Sequence, residues 1–272
     1  MKRLVSVIAA LALAACATSS SYAPSGKIEV LSLGHSALRI TTATGKVIVV
    51  DPFLTGNSRT PAQYKDLKNL GKVDAILVTH GHPDHVSDAA ALAKLNNARV
   101  FAPSALGRTL IEVGALPQEL VPNMNKGGTV TPLGPEIKIT MVRAEHSSEY
   151  MHRNPATGRD EVKFGGEPVG FIIELENGFR IYNTGDTTAF GDMKLLAEMY
   201  KPHLVLIPIG GHFTADIANA AYAVRELIRP EFAIPVHYGT FPAIAVDPQN
   251  FVKAVGSASK VIVLKPGESA KF

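Results

Sequence analysis

The stretch Thr79-His80-Gly81-His82-Pro83-Asp84-His85 decides the reading of this chain. It crowds three imidazoles and a carboxylate between an apolar run ending at Val78 and an Ala/Leu-rich segment starting at Ser87. A hydrophobic core does not take such a cluster, because ionisable groups are costly to bury without partners. A divalent cation removes that cost, since neutral imidazole and ionised carboxylate are its natural ligands. Alternation at positions 80 and 82 can aim two rings at one ion, while Asp84 and His85 can turn towards a second. The competing reading, a solvated polar turn, does not explain why so many ligand-type side chains are gathered here.

Upstream of this turn, short apolar runs bounded by Gly, Asn, Asp and Pro read as strands over residues 28–33, 37–41, 47–50 and 75–78. Downstream, residues 87–95 have the composition and length of a helix. A second set follows, with strands over 137–142, 169–175, 179–182, 204–208, 232–236 and 261–264 and helices over 193–200 and 216–228. Two halves, each a meander followed by βα units, predict an α+β fold built as a four-layer αββα sandwich. Residues 52–71 and 147–167, rich in Gly, Pro and charge, read as irregular loops, and long loops in compact domains usually carry function. No composition shift divides residues 27–272, which therefore read as one domain.

The 272 residues are 46% hydrophobic and 19% charged, a globular profile that excludes a disordered or fibrous chain. At the N-terminus, Lys2 and Arg3 precede an apolar run over residues 4–15, the pattern of a secretory signal and too short for a permanent span. The run ends in Leu13-Ala14-Ala15-Cys16, which resembles the lipobox of bacterial lipoproteins. That resemblance implies a signal peptide over 1–15, a lipidated Cys16 as the first mature residue and a small polar tether over 16–26. The bland alternative is an incidental thiol in a signal cut elsewhere. No Asp follows Cys16, so outer-membrane sorting, facing the periplasm, is the implied location.

Cys16 is the only cysteine, so no internal disulfide is available and the domain relies on its core and on bound metal. Removing Lys2 and Arg3 leaves 25 basic against 24 acidic residues, a mature net charge of +1. With no basic stripe, nucleic acid is excluded as a partner. The expected partners are a small-molecule substrate and, through the lipid, a membrane. Oligomeric state has no signature in the sequence.

The H-x-H-x-D-H pattern at positions 80–85 resembles that of the metallo-β-lactamase superfamily, and the resemblance extends along nearly all of residues 28–270. Ala144-Glu145-His146-Ser147, Asn183-Thr184-Gly185-Asp186-Thr187 and Pro235-Val236-His237-Tyr238-Gly239-Thr240 are similar to its later elements, in the same order, each after an expected strand. The resemblance implies that His80, His82 and His146 hold one divalent ion, that Asp84, His85 and His237 hold another, and that Asp186 bridges both. Nitrogen and oxygen ligands without thiolate suit zinc, with manganese, iron or nickel as alternatives. The lack of a thiolate ligand also disfavours antibiotic hydrolysis.

Nearer the start, Leu33-Gly34-His35-Ser36-Ala37 and Val50-Asp51-Pro52-Phe53-Leu54-Thr55-Gly56-Asn57 resemble a narrower branch, the L-ascorbate-6-phosphate lactonase-like (UlaG-like) hydrolases. Asp51 is expected to accept a hydrogen bond from a ligand histidine and fix its tautomer, or else simply to form a turn before Pro52. His35 is read as either a pocket residue or a locally satisfied histidine. His212, in Pro208-Ile209-Gly210-Gly211-His212-Phe213-Thr214, stands where that branch commonly has Asn; it is a candidate for substrate contact or proton delivery, against the reading that it merely lines its loop. Tyr238 is a candidate donor to an oxyanion. His152 and Arg153 could meet a substrate anion, though exposed loop charges are usually only solvated, and His203 reads as structural.

These elements imply metal-assisted hydrolysis, in which a hydroxide bridging two ions attacks a lactone, phosphoester or acyl-type centre and Asp84 or Asp186 shuttles the proton. Two other classes compete. One is an iron-dependent oxidoreductase of the same fold, for which the chain has no added flavin domain. The other is a non-catalytic metal-binding envelope lipoprotein, against which the complete ligand set argues.

Overall fold

A computed structural model describes residues 27–272. The signal, Cys16 and tether expectations lie outside the described residues. The first half runs β1 (Glu29–Gly34), β2 (Ala37–Thr41), β3 (Val47–Val50), α1 (Ala62–Lys65), β4 (Ala75–Leu77), α2 (Pro83–Val86), α3 (Ala89–Asn96), β5 (Arg99–Phe101) and α4 (Ser104–Glu112). The second runs β6 (Thr129–Val130), β7 (Lys138–Arg143), β8 (Glu149–Arg153), β9 (Asp160–Phe164), β10 (Val169–Glu174), β11 (Arg180–Asn183), α5 (Asp192–Tyr200), β12 (Leu204–Pro208), α6 (Ile217–Tyr222), β13 (Phe232–Val236), α7 (Pro248–Val255), β14 (Lys260–Val261) and β15 (Ser269–Lys271).

Side-chain alternation along the strands explains the layering. In β3 all four residues are buried, Ile48 and Val50 in one cluster and Val47 and Val49 in another. Such a strand needs cover on both faces. The six-stranded sheet β15-β1-β2-β3-β4-β5 therefore packs one face on the seven-stranded sheet β14-β13-β12-β11-β10-β7-β6, with Ile40, Ile48 and Leu77 meeting Met141, Phe171 and Leu206 between them. Its other face takes Leu92 of α3 and Leu106 and Leu110 of α4. On the far side of the second sheet, Val205 and Ile207 pack with Met193 of α5, Ala220 of α6 and Phe251 of α7. Helices, two sheets and helices form the expected αββα sandwich.

Local departures have identifiable causes. The helix expected over 87–95 forms as α3, and a separate short helix, α2, precedes it from Pro83; between them the Asp88 carboxylate turns away to the loop after β3. There it accepts from Leu54 N at 2.6 Å, Thr55 N at 2.9 Å and Thr55 Oγ1 at 2.7 Å. The helix expected over 216–228 begins as α6, capped by Asp216 accepting from Asn219 N at 2.8 Å, and continues over 223–228 with wider turns. The stretch 147–167 is corrected from irregular loop to an antiparallel hairpin, β8 paired with β9. Its two strands are half exposed and mostly polar, so no apolar run marks them.

Candidate metal centre

The histidines and carboxylates come from the C-terminal ends of strands in both sheets. His35 follows β1, Asp51 follows β3, His80 follows β4, His146 follows β7, Asp186 follows β11 and His237 follows β13. Three of these turn with a positive φ that side chains other than Gly adopt at a cost: His35 at 58°, Asp51 at 45° and His237 at 54°. Gly185, at φ 63°, lets the chain into Asp186 pass beside the Val169 carbonyl, where a Cβ would collide.

Asp186 is 3% exposed and is the meeting point of the cluster. Its Oδ2 lies 2.9 Å from His237 Nε2, 3.3 Å from His85 Nε2, 3.8 Å from His146 Nε2 and 4.0 Å from His80 Nε2. Among the described residues, ligand atoms of His80, His82 and His146 lie within 4.8 Å of one another, as do those of His35, Asp84, His85 and His237 and those of His80, His85 and Asp186. The seven residues that the sequence marks as ligands are thus brought together, and His35 joins them.

The tautomers follow from the surrounding acceptors. Asp51 accepts from Thr79 N at 2.7 Å and from Thr79 Oγ1 at 2.9 Å. With its hydroxyl proton committed there, Thr79 accepts from His80 Nδ1 at 3.0 Å, which leaves His80 Nε2 with a lone pair. His82 Nε2 donates to Glu149 Oε2 at 2.8 Å, which leaves His82 Nδ1 with a lone pair. These two acceptor nitrogens face each other at 2.9 Å, an arrangement that calls for a cation or a shared proton. Asp51 Oδ2 also stands 3.0 Å from His85 Nδ1. His85 Nε2, Asp186 Oδ1 and His237 Nδ1 are buried without a hydrogen-bond partner. Buried polar atoms are rarely left so, and the donor set fits divalent metal.

Burial and close charges shift the titrating groups of the cluster in opposite directions. Burial drives His80 and His146 below the ordinary imidazole range. Burial also pushes His35 down to about 4, against the hydrogen bond with Asp84. Burial opposes charge on His85 too, but Asp186 and Asp51 outweigh it and raise His85 well above the ordinary value. Burial alone would raise Asp186, yet His237 and His85 hold it well below the usual carboxylate range. Asp84, likewise pushed up by burial, is brought low by the His35 hydrogen bond.

The remaining residues divide. His35 Nε2 lies 3.0 Å from Asp84 Oδ2 and its Nδ1 2.9 Å from Thr240 Oγ1. The roles of Glu149 and Thr240 escaped the sequence reading, since a Glu opening a polar strand and a half-buried Thr in a loop have no local signature. His212 is exposed, 4.4 Å ring to ring from Phe213, and it is Phe213 that lines the cleft over the cluster. Tyr238 lines a separate cavity of about 320 Å³ with Arg59 and Gln249 rather than that cleft. Arg153 pairs with Asp160 at 3.1 Å, and His203 Nδ1 accepts from Arg180 N at 3.0 Å, a structural role.

Residues 46–238 match the model of a beta-lactamase superfamily domain. A UPF0173 metal-dependent hydrolase of a Polaromonas species is 58% identical over 248 residues, covering 91% of this chain and 90% of that protein. A second from Cupriavidus necator is 57% identical over 250 residues, covering 91% and 86%. Among solved structures, Igni18, a metallo hydrolase from the archaeon Ignicoccus hospitalis, superposes with a TM-score of 0.77 at 33% identity, covering 90% of this chain and 98% of that one.

Proposed function

The chain belongs to the UPF0173 metal-dependent hydrolases of the metallo-β-lactamase superfamily, and we propose that its centre is dinuclear. His80, His82 and His146 hold one ion, Asp84, His85 and His237 hold the other, and Asp186 lies between them. The observation that carries this reading is the position of Asp186 Oδ2, which four histidine Nε2 atoms from both groups approach within 4.0 Å. Two divalent ions held there, zinc first among them, would supply a water nucleophile at neutral pH and polarise the oxygen under attack.

The chain's own groups do the rest. Asp51, through Thr79, keeps the Nε2 lone pair of His80 facing inwards, and Glu149 does the same for Nδ1 of His82. Asp84, on the cleft floor and fixed by His35, is placed to take the proton lost by the attacking water and return it to the leaving oxygen. The substrate is a small lactone, phosphoester or acyl compound, in keeping with the resemblance to the L-ascorbate-6-phosphate lactonase-like branch. The domain, residues 27–272, is carried on a Cys16 lipid anchor in the cell envelope.

The test is hydrolysis of lactone, phosphodiester and acyl probes before chelation, after it, and after a divalent ion is restored. Loss and recovery of turnover with the ion support the reading. Turnover indifferent to chelation, or a His82→Ala variant of full activity, contradicts it.

A further inference from the structure

The cleft above the cluster, about 720 Å³, is walled by Phe53, Pro83, Phe213, Phe241, Pro242 and Ala243. Its size is that of a site for a small organic molecule. Three aromatic rings arrive from three different loops, after β3, β12 and β13. Two of them stand open at its edge, Phe213 55% and Phe241 37% exposed, although large apolar side chains gathered around one opening are unfavourable in water unless something covers them. Asp88 holds the Phe53 loop through Leu54 N and Thr55 N, and Phe241 packs on His35 at 5.5 Å between ring centres. The apolar wall is therefore built into the site.

The charges tell the same story by their placement. Among the described residues, no Lys or Arg lines this cleft, and its formal charges are Asp84 and Asp186 on the floor. The nearby cations lie outside the cleft. Lys163, in the adjoining groove beyond Ser147, pairs with Glu161 at 2.9 Å, and Arg59 lines the separate cavity beside Tyr238. Metal ions on the floor would engage the reacting group alone. A second, non-reacting phosphate would need its own cationic clamp, and the walls offer none.

Resting on the hydrolase reading above, we propose that the substrate is a neutral ester or lactone bearing an apolar chain or ring, and not a phosphorylated sugar derivative. Hydrolysis adds water across the acyl C–O bond. The hydroxyl oxygen stays on the carbonyl carbon and a proton goes to the departing alkoxide, so no further reactant is required.

The experiment uses the zinc-loaded full chain and γ-lactones whose alkyl tail lengthens from methyl to hexyl, with gluconolactone 6-phosphate as the charged comparator. Both kcat/KM and calorimetric affinity are measured. Each added methylene should raise both by roughly two- to fourfold, the effect of moving one CH2 from water to an apolar wall. Phe213→Ala should flatten that gradient. A flat series, or preference for the phosphorylated lactone, overturns the proposal while leaving the hydrolase intact. Tail-dependent affinity with no chelator-sensitive hydrolysis of any probe keeps the ligand class and overturns the reaction.

Discussion

Glu149 Oε2 lies 2.8 Å from His82 Nε2, so a strand of the exposed hairpin sets the tautomer of a histidine in the cluster. The carboxylate side chain is half exposed, which limits its worth. Glu149→Gln should weaken metal binding by about tenfold, the lower end for partners that orient a ligand histidine. Folding stability should hardly change. Competition with a fluorescent zinc chelator checks the affinity, and an unchanged value would remove Glu149 from the centre.

Asp51 is 1% exposed and serves Thr79 twice and His85 once. Its loss strands buried donors, so Asp51→Ala should destabilise the metal-free protein by about 3 kcal/mol. Asp51→Asn, which tolerates the positive φ and keeps one acceptor oxygen, should cost less. Urea unfolding of the two variants measures the difference; a loss in Asp51→Ala no larger than in Asp51→Asn would mean that the contacts of the carboxylate with Thr79 and His85 carry no stability.

Gly185 combines φ 63° with a Cβ direction blocked by the Val169 carbonyl and by Thr79. Gly185→Ala should therefore destabilise the fold by roughly 2–4 kcal/mol, from backbone strain and overpacking together. It should also displace Asp186 and lower the metal content. Thermal unfolding together with metal analysis tests this, and a variant that loads normally would show that the strand end can yield.

Acid should weaken the metal-free protein. Its His35 stays neutral down to about 4, whereas an unfolded histidine takes a proton near the ordinary 6.5. Between these values the unfolded chain binds more protons, so stability falls as pH drops from about 6.5 to about 4, by at most about 3 kcal/mol from this group. His80 and His146, also lowered, add to the slope. His85, raised well above 6.5, is charged in the folded protein across that window and adds little there. Urea midpoints against pH should fall on the acid side, less steeply for His35→Gln. A flat profile would contradict the burial of neutral imidazoles.

The strands were legible because most are apolar runs between turn residues, and β3, buried on both faces, reads as an unbroken Val47-Ile48-Val49-Val50. The cluster was legible because four of its members, His80, His82, Asp84 and His85, lie within one turn. What escaped was set by the tertiary structure. Strands β8 and β9 alternate exposed with half-buried residues and cross the solvent edge, so Tyr150 and Val162 give no run to read. Helix α4 was missed although Leu106 and Leu110 are four apart, because Gly107 interrupts its pattern. Gly107 is there because Val121 packs where its Cβ would be. The link from Glu149 to His82 spans 67 positions, and that from His35 to Thr240 spans 205. Such pairings have no local signature in a single sequence.

Whether Asp186 joins two metal sites is read by elemental mass spectrometry on the purified protein and on Asp186→Asn. Two ions per chain are expected in the unaltered protein and one or none in the variant, since Asn brings no negative charge to share between two cations. A single ion in the unaltered protein, or two retained by Asp186→Asn, would contradict that role.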